Sequence, residues 1–181
     1  LPPAAHAILG LIAIDHGAGH GYDLARHFGP DAPLAQVIRL EPGMLYHHLK
    51  QLERAGWVTA DREEGGNRPP RRVHTVTESG RAELRRWLAE PVGQTREIRL
   101  TFLLKLYFAR RLDEALVARL ITGQRDVCIR LVASLSTQIN QLNQLNQAEH
   151  DPDRQFAQSV LHLRLAQTRA ALTWLEEIER P

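Results

Sequence analysis

A single cysteine, Cys128, stands in the 181 residues. It excludes an intramolecular disulfide and a cysteine-rich zinc site, and it fits a reducing cytoplasm. Apolar runs of membrane-spanning length are missing, as is any signal-peptide pattern; the apolar stretch Ala4 to Ile14 is too short to cross a bilayer. The chain opens on Leu1-Pro2-Pro3 without Met, so its native start is expected to lie upstream. Catalytic motifs are lacking too. There is no Gly-x-Ser-x-Gly elbow, no P-loop, no dinucleotide fingerprint and no Cys/His couple in a recognisable context, so neither an enzymatic activity nor a cofactor is expected. The nine histidines suggest metal binding, but neither His16/His20 nor His47/His48 is a helical i, i+4 pair with a carboxylate, as zinc sites show. Cys128, among Val127, Ile129 and Leu131, reads as a small core residue rather than a redox sensor.

Charge of one sign is absent as well. The net charge is +2; residues 1–90 hold 11 Lys+Arg against 11 Asp+Glu, and residues 91–181 hold 12 against 10. A claim of nucleic-acid binding must therefore rest on where the cations sit. What the chain does have is apolar material: 43% hydrophobic residues can bury a core and exclude global disorder, over a length suited to one large or two small domains.

The most informative stretch is Glu41-Pro-Gly-Met-Leu-Tyr-His-His-Leu-Lys-Gln-Leu-Glu-Arg-Ala-Gly-Trp-Val58. Pro42 suits the first turn of a helix and Gly56 its stop. At about 100° per residue, Leu45, Leu49 and Leu52 share one face. Gly43, His47, Lys50, Gln51 and Arg54 share the other, with Tyr46 at its edge. Donors, cations and an aromatic opposite a leucine face are what a helix needs to enter a DNA major groove. Taken alone, the stretch reads rather as an ordinary solvated amphipathic helix; its surroundings reverse that in favour of the groove.

Ala4–Ile14 reads as a buried first helix, broken at Gly17–Gly21, and Tyr22–Phe28 as a short second helix stopped by Gly29-Pro30. Between Asp31 and Leu40 the sequence is ambiguous: Pro33 argues for a loop, while Gln36–Leu40 could pair briefly as a strand. Trp57–Glu63 and Arg71–Thr77 read as two strands joined by turn chemistry over residues 64–70, a hairpin whose tip bears Arg68, Arg71 and Arg72. A helix capped by Thr77 or Ser79 follows, to about Glu90. Three helices, a hairpin with a basic tip and a closing helix make a winged helix-turn-helix over residues 1–90. The basic tip is suited to phosphate or the minor groove.

Pro91–Thr95 reads as a short linker, and residues 91–181 as helical throughout. Arg99–Ala109 is strongly apolar, and Asp113 is expected to cap the next helix. Apolar positions at Leu116, Leu120, Val127, Leu131, Leu135, Leu142 and Leu145 recur at helical intervals. His150–Asp153 is the expected turn, and a last helix over Arg154–Glu179 carries Leu172 and Leu175. Two long antiparallel helices overhang a ninety-residue domain. Leu131, Leu135, Leu142, Leu145, Leu172 and Leu175 are therefore expected to dimerise two chains. Trp87, Phe102, Tyr107, Phe108 and Trp174 could line an effector pocket but serve equally as core.

At Gly19-His-Gly-Tyr-Asp-Leu24, Gly43-Met-Leu-Tyr46 and Pro70-Arg-Arg-Val…Thr77-Glu-Ser-Gly-Arg81 the chain resembles the PadR-like transcriptional regulators. Glu97–Tyr107 is similar to the start of the helical C-terminal domain of PadR-type virulence activators. The resemblance spans essentially the whole chain. It implies a mainly α protein, a winged helix-turn-helix joined to a helical dimerisation domain. The implied function is that of a cytoplasmic homodimer on a palindromic double-stranded operator, repressing rather than activating on the base rates of the family. By it, Tyr46 and Lys50 lie on the recognition helix, and Gly21 and Tyr22 open the supporting helix against the DNA backbone. Release by a small aromatic effector is a property of some members. Two features depart from the pattern: Gly29–Leu40 is longer, and His47-His48 is an uncommon pair at groove-facing positions. The rival expectation is a winged-helix protein-interaction adaptor without DNA binding, supported by the zero net charge of residues 1–90.

Overall fold

Helix α1 (Pro3–Ile14) is apolar on every side, and that decides the architecture. Residues 5 to 12 are all buried, including His6, so the helix must be covered from all directions. Its coverings are α2 (Gly21–Arg26), α3 (Pro42–Arg54), α4 (Glu78–Ala89), α5 (Leu103–Leu112) and the strands β1 (Ala18–His20) and β3 (Arg71–Val76). The computed structural model describes residues 1–15, 18–63, 71–144 and 151–179. Strand β2 (Val58–Glu63) completes an antiparallel sheet of order β1-β3-β2, with Thr59 opposite Thr75 and Arg62 opposite Arg72. The fold is a winged helix followed by helices.

The sheet differs from the expected hairpin by one strand. Ala18–His20 pairs with Val73–Thr75, so the stretch read as a break between helices is the third strand. Gln36–Leu40 does not pair. Instead Pro33–Gln36 forms a 3₁₀ turn started by its proline, with fully buried Leu34 driven into the core and its carbonyl taken by the N–H groups of Val37 and Ile38. Helix α2 also stops earlier than expected, at Arg26. The hairpin tip with Arg68, the turn residue His150, and Leu145 lie outside the described residues.

The sequence Thr77-Glu-Ser-Gly80 is a joint between α3 and α4. The Thr77 hydroxyl accepts from the Gly80 N–H at 3.0 Å and donates to the Gly56 carbonyl at 2.7 Å; the Ser79 hydroxyl donates to the same carbonyl at 2.9 Å. Thr77 is therefore the cap, and Ser79 ties the preceding turn to it. Gly80 is obligatory, since a Cβ there would lie 2.1 Å from the Trp57 carbonyl oxygen.

Beyond residue 90 the chain does not swing free. Fully buried Gln124 accepts from the Val92 N–H at 2.8 Å and donates to the Val92 carbonyl at 3.1 Å, clasping the connection from α6 (Glu114–Gln144). Leu104 and Phe108 of α5 belong to the same core cluster as α1, and a Cβ on Gly10 would fall 2.7 Å from the Phe108 ring. Asp113 caps α6 by accepting from the Ala115 N–H at 2.9 Å. Helices α6 and α7 (Pro152–Glu179) run antiparallel, with Arg125 on Glu179 at 2.9 Å and Gln158 on Asn143 at 2.9 Å.

Several leucines expected to face a second chain are turned inward along this seam. Leu135 packs with Ile139 and Leu165, and Leu175 joins Phe102, Leu120 and Cys128. Leu131, Leu142 and Leu172 are half-buried. For Leu135 and Leu175 the partners are thus within the same hairpin. The large exposed side chains here are instead Phe156 (70%), Leu163 (58%), Ile129 and Val160. Trp87, Phe102 and Phe108 are core, and burial pushes the Cys128 thiol up.

Lys105 is a buried cation, 3% exposed, whose ammonium donates to the Glu90 carbonyl at the end of α4 and lies 5.2 Å from the centroid of the Trp87 ring. Burial pulls its pKa down from 10.5 to about 8 against the attraction of Glu90. Folding thus disfavours its protonated form. The cost is complete below pH 8, and stability should rise as pH climbs from about 8 toward 10.5. We expect the unfolding free energy from urea titration to increase between pH 7.5 and 9, by up to about 1 kcal/mol from this group, and the rise to vanish in Lys105→Met. An equal rise in both proteins would contradict the assignment.

Candidate nucleic-acid interface

Helix α3 divides as its period requires. Leu45, Leu49 and Leu52 are buried with His48, whereas Gly43, Met44, Tyr46, His47, Lys50 and Arg54 are exposed and Gln51 is half-buried. Neither Lys50 nor Arg54 has an ion-pair partner among the described residues. Gln51 is held by both histidines, its amide nitrogen 3.1 Å from His47 Nε2 and its oxygen 3.0 Å from His48 Nδ1.

The start of α2 lies against this helix. A Cβ on Gly21 would come within 2.8 Å of Tyr46 Cε1, so glycine is what lets the Tyr46 ring lie on the α2 backbone. Tyr22 beside it is 73% exposed. His20, Gly21, Tyr22, Tyr46 and Arg72 line a cleft of about 400 Å³. Gly21, Tyr22 and Tyr46, all expected from sequence to touch DNA, thus share one hollow with Arg72 of the wing.

That wing is anchored. Arg72 and His74 lie two apart on β3, so both side chains point to one face. There Arg72 donates to Glu53 Oε2 at 3.2 Å, and His74 Nε2 sits 3.3 Å from Glu53 Oε1. Burial holds the His74 pKa down, opposed chiefly by the Glu53 charge. His20 Nε2 of β1 and Glu63 of β2 approach to 3.7 Å across β3. Arg72 therefore belongs to the body of the wing rather than its tip. Arg71 enters β3 by its backbone. Sequence reading missed Glu53, His74 and Met44. The i, i+2 spacing of Arg72 and His74 opposite an acid on α3 was the available signal for the first two.

Acids are spent as well as cations. Glu53 is paired as described, and Glu83 is held by Arg86 and by buried His6 at 2.9 Å, which pulls its carboxyl down to about 2. Among the described residues no group of three His, Cys, Asp or Glu could hold a metal, and no helix is long and apolar enough to cross a membrane. A second hollow, of about 680 Å³, lies between Val37–Arg39, Thr95–Leu100 and α7, with Ile38, Ile98 and Ala171 beside Arg39, Arg96 and Arg99.

Parts of this sequence match known proteins. Residues 8–86 match the transcriptional regulator PadR-like family, and residues 98–180 match the virulence activator alpha C-terminal family. Over 91 residues the chain is 37% identical to a probable transcriptional regulator of Mycobacterium tuberculosis, covering 50% of this chain and 46% of that protein. Over 105 residues it is 32% identical to the negative transcriptional regulator PadR of Bacillus subtilis, covering 57% and 54%. The chain thus spans about half the length of the curated relatives it matches. Similar solved structures include Bacillus subtilis PadR in complex with operator DNA, at 28% identity and TM-score 0.46 over 96% of this chain and 94% of that one. Another is the same protein in complex with p-coumaric acid, at 27% identity and TM-score 0.40 over 97% and 93%. The winged part and the helical part are thus each matched in their own stretch, residues 8–86 as a PadR-like transcriptional regulator domain and residues 98–180 as a virulence activator alpha C-terminal domain.

Proposed function

We propose that the chain is a DNA-binding transcriptional repressor acting as a homodimer on a palindromic operator. The observation that carries this reading is the exposed face of α3: Tyr46, His47, Lys50 and Arg54 stand out from a helix fixed by three buried leucines, and neither cation has an ion-pair partner among the described residues. Cations kept free of internal partners on a rigid helix suit phosphate and base edges, and the zero balance of residues 1–90 does not oppose it where acids such as Glu53 and Glu83 are already paired. The cleft of Tyr22, Tyr46 and Arg72 would seat a backbone phosphate beside the groove. In this reading residues 1–90 are the DNA-binding domain and residues 91–181 the dimerisation domain, working in the cytoplasm.

Dimerisation is assigned to the outer face of α7. Phe156, Val160 and Leu163 fall at i, i+4 and i+7, a single apolar stripe left exposed by the α6–α7 seam. An effector would fit the hollow of Arg39, Arg96 and Arg99, where guanidinium groups beside Ile38 and Ile98 suit a small aromatic carboxylate. Its walls come from both halves of the chain, so occupancy would act on how the winged part is carried.

Footprinting on DNA flanking its own gene tests the function and supplies the site. On that site, Lys50→Ala and Arg54→Ala are each expected to lower affinity and flatten the salt dependence by about one unit of slope. Unchanged slopes in titrations by fluorescence anisotropy would remove α3 from the groove. Gly21→Ala should displace the Tyr46 ring, reducing affinity about three- to tenfold while costing less than about 1 kcal/mol of stability, because the ring is free to move outward. Full affinity in that variant would separate the cleft from DNA binding. Sedimentation addresses the dimer: Phe156→Glu with Leu163→Glu should give a folded monomer with poor operator affinity, and a persistent dimer would put the interface elsewhere.

A further inference from the structure

We infer that His47 reads the N7 of a purine through its Nδ1–H, and that Gln51 is a positioning residue which holds the imidazole for that contact instead of reading a base itself. This rests on the proposed entry of α3 into the major groove.

The argument starts from hydrogen-bond chemistry. A carboxamide oxygen only accepts and its nitrogen only donates. Gln51 Oε1 lies 3.0 Å from His48 Nδ1, so that nitrogen carries the proton. Gln51 Nε2 lies 3.1 Å from His47 Nε2, so that nitrogen is bare and the proton of neutral His47 sits on Nδ1. Turning the carboxamide over would reverse both assignments, putting the His48 proton on Nε2 and leaving His47 Nδ1 bare; the structure places the oxygen on the buried ring and the nitrogen on the exposed one.

The order of control therefore runs outward. His48, seated among Leu45, Leu49 and Leu52, fixes Gln51, and Gln51 fixes His47. The spacing allows it: adjacent residues diverge by about 100°, placing one imidazole in the core and one outside, while a residue three on from the first and four on from the second touches both. The His47 and His48 rings meet edge-on at 5.5 Å and 69°, which sets the plane of the outer ring. His47 Nδ1–H has no partner within the protein. Both ends of the Gln51 amide are turned to the histidines, so the two-point contact by which glutamine reads adenine is not available to it. The His47 Nδ1–H is the donor this trio leaves toward the groove, and purine N7 is an acceptor that both guanine and adenine present there.

The test selects duplexes from a randomised pool with the wild-type protein, then replaces each purine of the enriched sequence in turn with its 7-deaza analogue, which keeps pairing and lacks N7. One purine per half-site should lose about fivefold in affinity. That loss should disappear in His47→Ala and in Gln51→Ala, and the double variant should bind no worse than His47→Ala. The melting temperature of His47→Ala should match wild type, since that exposed side chain fills no core, whereas Gln51→Ala removes the acceptor of buried His48 and should melt somewhat lower while remaining folded. A 7-deaza effect that persists in His47→Ala overturns the inference, as does a Gln51→Ala variant that changes preference at a different base pair. Failure to enrich any sequence would instead bring down the reading of α3 as a groove helix, and this inference with it.

Discussion

Everything in this molecule depends on having to cover α1. A helix apolar all round cannot lie on a surface, and its eight consecutive buried residues demand neighbours on every side. The winged part alone does not meet that demand. Leu104 and Phe108, from beyond the connection, finish the enclosure, and Gly10 lets Phe108 approach the helix backbone. The two halves matched by different families are thus joined through a common core rather than by a tether.

Rigidity at the surface follows from small polar anchors laid over that core. The Thr77 and Ser79 hydroxyls converge on one carbonyl at the end of α3, and Glu53 holds two side chains of β3 against the same helix. Helix, turn and wing move as one unit. A face that meets a regular duplex needs this, because contacts spread over several turns of backbone fail together when their spacing drifts.

The faces of α3 were legible because three leucines at helical spacing leave no other solution, and Gly56, Thr77 and Asp113 announced their turns and caps through chemistry specific to those residue types. Strand β1 was not legible: three residues, one of them glycine, carry no alternation to detect. The role of Leu135 and Leu175 was misread for another reason. An apolar stripe records that a helix is covered and is silent about which partner covers it; only the return path of α7 shows that the partner is in the same chain. Glu53 escaped because its partners lie 19 and 21 residues away, on a strand whose register depends on the whole hairpin.

The clasp of Gln124 on Val92 has a mechanical consequence. Gln124 stands about 15 Å from the start of α6 and about 30 Å from its far end. The helix is pinned there to the backbone that leads out of α4, which makes that residue a fulcrum with unequal arms. A sideways displacement imposed at the distal end arrives at the proximal end about halved and reversed in direction, beside Asp113 and the cap of α6. Displacements of the helical hairpin would reach the winged part as smaller, opposed shifts, geared by where one glutamine sits along thirty-one residues.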